Sequence, residues 1–138
     1  MVITPYSVPV KLKRPHPEPC IFIGSSRRDL AAFPEQVRGD IGHALHEVQS
    51  GGEPISAKAL KGLGGRAILE IIENFDGDTF RAVYAVRFAG AVYVLHAFQK
   101  KAKKGIATPK HEIERIKARL QDAEAHYRAR TEKGERKP

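Results

Sequence analysis

The segment from Leu95 to Glu112 reads LHAFQKKAKKGIATPKHE and gathers the groups best suited to chemistry. His96, Phe98, Lys100 and Lys101 stand where an apolar run gives out, and Lys103 and Lys104 follow at once. An imidazole exchanges protons near neutrality without tuning. A lysine crowded by other lysines gives up its proton more readily, because like charges disfavour the ammonium. Cationic side chains offset charge building on a phosphate, and an aromatic ring can stack on an unpaired base. RNA cut by its own 2′-hydroxyl needs a base, cations at phosphorus and an acid for the leaving 5′-oxygen. That inventory is present here, and the route calls for no metal and no cofactor.

Each residue also has a plainer reading. A lysine run is most often a solvated loop. A strand histidine is commonly a hydrogen-bonded packing residue, and Phe98 fits a core position with the strand end twisted. Cys20 reads as an ordinary buried residue.

The elements that must position these groups follow from the apolar pattern. CIFIGS (20–25) reads as a short buried strand. Ser26-x-x-Asp29 has capping-box spacing and starts a helix running to Phe33. Pro34 suits the first position of a second helix, striped by Val37, Ile41, Leu45 and Val48 and ended by Ser50-Gly51-Gly52. Gly39 and Gly42 weaken that helix by roughly 1 kcal/mol each, so close packing against a neighbour is expected there. A three-stranded meander follows over 66–73, 79–88 and 91–99, turning at Asp76-Gly77 and Ala89-Gly90. Thr108-Pro109 opens a last helix whose buried side is Ile113, Ile116, Leu120, Ala123 and Tyr127. The predicted class is α+β, with the order β-α-α-β-β-β-α.

Register decides which groups meet. A turn at Ala89-Gly90 sets Arg81 opposite Phe98 and Val83 opposite His96, and a turn at Asp76-Gly77 sets Glu70 opposite Val83. Arg81, His96, Phe98, Lys100 and Glu70 then share one face, with Val92 and Val94. Phe80, Ala82, Tyr84, Tyr93 and Leu95 form the opposite, core face. The expectation is an exposed pocket in which Arg81 grips phosphate, since its planar fork reaches two oxygens at once. Glu70 is more simply a structural partner for Arg81. Lys58 and Lys61 add charge on the same side. The GLGGR run (62–66) lacks the Gly-Lys-Ser/Thr ending of a phosphate loop and precedes a strand.

Composition bounds the rest. At 138 residues, 41% of them hydrophobic, the chain suits one globular domain. Five of the nine prolines lie in 1–19, read as an extended arm; 20–130 is the domain and 131–138 a polar tail. One cysteine excludes an intrachain disulfide, no Cys/His cluster has zinc spacing, and no apolar run approaches a membrane span, so a reducing, cytoplasmic setting is expected. The net charge is +8, and from His96 onward 13 Lys/Arg face 6 Asp/Glu, which is +7 of it. That asymmetry raises the prior for a polyanionic partner such as nucleic acid or the ribosome.

From IFIGSSRRDLAAFPEQVR through LGGRAILEIIENFDGDTFRAVYAV to VYVLHAFQKKAKKGIATPKHEIERIKARL, the chain resembles the phage-related branch of the RelE/HigB-like toxins of bacterial toxin–antitoxin systems. The resemblance covers about residues 20–127, and the LHAFQKK…TP…E segment is its most specific part. It implies a RelE-like β-sheet with two N-terminal helices, ribosome-dependent cleavage of messenger RNA, and neutralisation by an antitoxin, often a helix-turn-helix protein. Carried over by position, the arginine of the second meander strand is Arg81, the basic pair is Lys100 and Lys101, and the glutamate of the first strand is Glu70. Ile72 stands where many relatives have an arginine, so Arg66 or Arg87 would supply that phosphate contact. His96 or a lysine would transfer the proton. Two other readings stay open on the same fold: a stoichiometric inhibitor of DNA gyrase like the ParE-like relatives, and a basic RNA-binding module without activity.

Overall fold

The computed structural model describes residues 17–60, 63, 68–100 and 108–132. Lys61, Arg66, Lys101, Lys103 and Lys104, most of the 1–19 arm and residues 133–138 lie outside that set. The element order is β1 (Cys20–Phe22), α1 (Ser26–Ala31), α2 (Glu35–Gln49), β2 (Ala57–Ala59), β3 (Ile68–Phe75), β4 (Asp78–Ala85), β5 (Val92–Lys100) and α3 (Lys110–Glu132). The class is α+β, as the pattern predicts. One five-stranded sheet has the order β1-β5-β4-β3-β2, antiparallel except for β1 against β5.

The β3–β4 hairpin turns at Asp76-Gly77, both at positive φ (53° and 86°), the two-residue geometry that Asp-Gly favours. Its register places Glu70 opposite Val83 and Ile72 opposite Arg81. The next turn also sits at Ala89-Gly90, closed by the Ala91 amide donating to Phe88 O at 3.3 Å. β4 nevertheless stops at Ala85, short of the expected Phe88. Arg81 faces Phe98 and Val83 faces His96 as expected, but Tyr84 then faces Val94. Leu95 is therefore the extra residue of a β-bulge, and everything before it on β5 changes side. Tyr93 and Leu95 consequently pack with Val83 and Ala85, while Val92 and Val94 pack with Tyr84 and Ala82. That reverses the faces assigned to these four residues from the simple alternation.

Both faces of the sheet are covered. α2 lays Val37, Ile41, Leu45 and Val48 on Ile71, Phe80, Ala82 and Tyr84. α3 lays Ile116 and Ala123, flanked by Ile113, Leu120 and Tyr127, on Ile68, Val83, Tyr93 and Phe98. The expectation of one greasy face and one open face fails here, because a second helix layer buries what the register had left to solvent.

Local details also differ from the sequence reading. Ser25, not Ser26, precedes α1; Ser26 is fully buried and donates its hydroxyl to Val94 O at 3.1 Å. Pro34 sits just before α2 rather than in its first position. Gly39 and Gly42 are exposed, with nothing within 4 Å of a Cβ placed there, so no close packing accounts for them. β2, whose Ala-Lys-Ala has no strand-like alternation, is an unpredicted edge strand paired with β3.

Candidate functional site

Arg81, Glu70, His96 and Phe98 share one face of the sheet, as the register requires, but that face lies beneath the N-terminal half of α3. They are 4%, 3%, 2% and 8% exposed. Thr108 and Glu112 close over them from the start of α3, so the expected exposed pocket is a sealed polar cluster.

Two networks compose it. Arg81 Nη1 lies 3.3 Å from Glu70 Oε1 and 3.2 Å from Thr108 Oγ1. The guanidinium thus neutralises a buried carboxylate between β3 and β4 and ties the approach to α3 onto the sheet. Breaking such a pair leaves one charge uncompensated in a low dielectric, which is costly. The second network runs from α3 through β5 to α1. His96 Nε2 lies 2.6 Å from Glu112 Oε1, and His96 Nδ1 lies 3.1 Å from Arg119 Nη1. A guanidinium only donates, so Nδ1 accepts and Nε2–H donates to the carboxylate, which fixes the tautomer. Arg119 also donates to Leu95 O at 3.1 Å and to Ser25 Oγ at 2.9 Å, and Ser25 in turn donates to Asp29 Oδ2 at 2.7 Å. Gly24, at φ 60°, leaves room for this: a Cβ there would meet Arg119 Nε at 2.8 Å.

Burial holds the His96 pKa below its ordinary value, Glu112 pulls it back up, and Arg119 and Arg115 press it down. The imidazole is therefore neutral at pH 7, with both nitrogens engaged and its ring stacked on Phe98 at 5.1 Å. A base must reach the proton it removes. His96 has no such access in this arrangement, and Phe98 offers no open face to a nucleotide. Arg81 likewise touches protein, not solvent, so its expected grip on phosphate is replaced by a structural one; Glu70 has the pairing expected of it.

The remaining candidates separate in space. Lys100 is half-buried at the end of β5, opposite Thr79 and on the Arg81 face. Lys58 is exposed on β2, opposite Glu70. Arg87 is exposed past the other end of β4, its guanidinium 5.7 Å from the Phe88 ring centre. Six strand steps from Thr79 to Ala85 put it more than about 20 Å from Lys100, so it belongs to no common pocket with that residue. Sequence reasoning missed Arg119, Ser25 and the pairing role of Glu112. The signal was available: Glu112, Ile116 and Arg119 recur at helical spacing, which puts both charges on the buried stripe.

Among the described residues no helix is long and apolar enough to cross a membrane, and no group of three or more His, Cys, Asp or Glu could hold a metal ion. The fold and buried cluster define a small α+β domain with a mixed sheet roofed on both faces. The description "Phage derived protein Gp49-like (DUF891)" matches residues 28–121, well over half of the chain. The chain therefore belongs to the phage-derived Gp49-like family, the branch of RelE/HigB-like toxins to which the resemblance points. Among solved structures, a chain of the toxin–antitoxin complex RelBE2 from Mycobacterium tuberculosis is similar at 19% identity, with a TM-score of 0.44 over 66% of this chain and 99% of that one. No curated protein matches in sequence.

Proposed function

We propose that this protein is the toxin of a toxin–antitoxin pair and acts as a ribosome-dependent endoribonuclease on messenger RNA, restrained by an antitoxin of the helix-turn-helix kind. Membership of the Gp49-like family carries the reading. The positive excess after His96 supports a polyanionic substrate. The 2′-hydroxyl supplies the nucleophile, so the protein need only move protons and stabilise the charged phosphorane. Lys100 and Lys101 are assigned to the phosphate, and a lysine of the 100–104 run takes the proton-transfer role that His96, enclosed by Glu112 and Arg119, does not fill.

That same enclosure favours a second reading. A stoichiometric inhibitor, such as one directed at DNA gyrase, needs no reactive groups and would leave Arg81 and His96 as packing. Mapping message 5′ ends after induced expression separates the readings. Breaks within translated codons are expected; intact messages with a DNA-damage response would favour the inhibitor. Ribosome binding with unimpaired growth would leave an inactive RNA-binding module.

A further inference from the structure

Arginines collect where the Arg119 side chain ties α3 to the start of α1. Arg28 lies on α1, Arg115 and Arg119 on α3, and all but Arg119 are exposed, while the neighbouring Arg27 instead lies over the Phe22 ring at 5.6 Å. Arg119 bridges the two helices, reaching Ser25 Oγ at 2.9 Å just before α1 while its stem passes Gly24. Arg115 stands one helical turn before Arg119, the spacing at which like charges oppose the helix. Both Arg115 and Arg28 depress the Arg119 pKa after burial, while Asp29 and Asp122 are the acids that offset it. Asp29 already bonds Ser25 and pairs with Arg28 at 3.3 Å. Three guanidiniums, those of Arg28, Arg115 and Arg119, thus gather beside the carboxylates of Asp29 and Asp122, and the half-buried Arg119 ties the group to the fold.

Accumulating like charge on a fixed ridge is unfavourable unless an anion offsets it. We propose that the Arg28–Arg115 ridge, positioned by Arg119, binds the phosphate backbone of RNA. The ridge adjoins the start of α3, where Glu112 and Arg119 meet His96. Lys100 lies four strand residues beyond His96, about 13 Å along β5. A strand seated on the ridge would therefore continue past the beginning of α3 to the lysine end of the sheet. Guanidinium forks suit this task, since each can grip two phosphate oxygens. The inference rests on RNA being the target, as in the proposed function, but not on RNA being cut.

The test is binding of a fluorescein-labelled single-stranded RNA oligonucleotide, followed by anisotropy at several KCl concentrations. The comparison is the full chain against Arg28→Ala/Arg115→Ala. Both positions are exposed and Arg119 is untouched, so circular dichroism should be unchanged. Each phosphate contact on a single strand contributes roughly 0.7 to the slope of log affinity against log salt. The double variant should lose about 1.4 from that slope and bind roughly tenfold more weakly at 0.1 M salt. Equal slopes and affinities would overturn the assignment, as would a wild-type protein that fails to bind the RNA. Retained RNA affinity with loss of antitoxin binding would reassign the ridge to a protein interface. Message cleavage is read separately, so its absence would remove the endoribonuclease reading and leave the ridge standing.

Discussion

Acidification should loosen α3 through a single imidazole. His96 sits between a carboxylate on Nε2 and a guanidinium on Nδ1. Protonating Nδ1 would turn an acceptor toward Arg119 into a second donor 3.1 Å from Nη1, with Arg115 adding like charge. Glu112 favours the imidazolium, but burial, the largest influence, and the two arginines outweigh it, so the folded pKa lies below the ordinary 6.5. The folded protein then binds fewer protons than the unfolded chain between that value and 6.5. Stability is full above pH 6.5 and falls as pH drops through this window, by up to about 1.4 kcal/mol per pH unit. Burial also raises Glu73, which contributes with the opposite sign at and above pH 4.5. A matched variant cancels it: His96→Gln keeps one acceptor and one donor but takes up no proton. Urea midpoints measured at pH 7.5, 6.5 and 5.5 should fall more steeply for wild type than for His96→Gln. Parallel curves would refute the assigned tautomer and its burial.

Replacing Arg81 with Met should destabilise by roughly 3–5 kcal/mol by stranding Glu70, whereas Glu70→Leu/Arg81→Met should cost far less; equal losses in denaturant melts would contradict the buried pair. Gly39→Ala and Gly42→Ala should each raise stability by about 1 kcal/mol, since both sites are exposed helix with open space around a Cβ, and a lowered urea midpoint would show a hidden contact. Burial pushes the Cys20 thiol up to about 11. Iodoacetamide at pH 8 should therefore modify the native protein at least about a hundredfold more slowly than the unfolded chain, and comparable rates would show an accessible thiolate.

The hairpin registers were legible because Asp76-Gly77 and Ala89-Gly90 mark turns and the apolar residues alternate around them. Three features were not. The bulge at Leu95 falls inside an unbroken apolar run, Ala91 to Leu95, where an extra residue changes no pattern. The edge strand β2 is held by pairing with Ile71, Glu70 and Leu69 rather than by its own Ala-Lys-Ala. The side covered by α3 was hidden because a sheet buried on both faces is apolar on both. Ile68, Val83 and Ala85 pack as fully under α3 as Ile71 and Ala82 do under α2. The polar residues among them, Glu70, Arg81 and His96, therefore read as surface when they are core. The family was visible because its motif spans β5 and the start of α3, where His96 and Glu112 meet.

The proposed chemistry puts reactivity at the lysine end of β5 and not at the enclosed imidazole. Single-turnover cleavage of a message on programmed ribosomes tests it with Lys100→Ala/Lys101→Ala and His96→Gln. The lysine variant should lose at least about a hundredfold in rate while remaining folded by circular dichroism, and His96→Gln should stay near wild type. Undiminished cleavage by the lysine variant, with His96→Gln folded but silent, would contradict the claim outright.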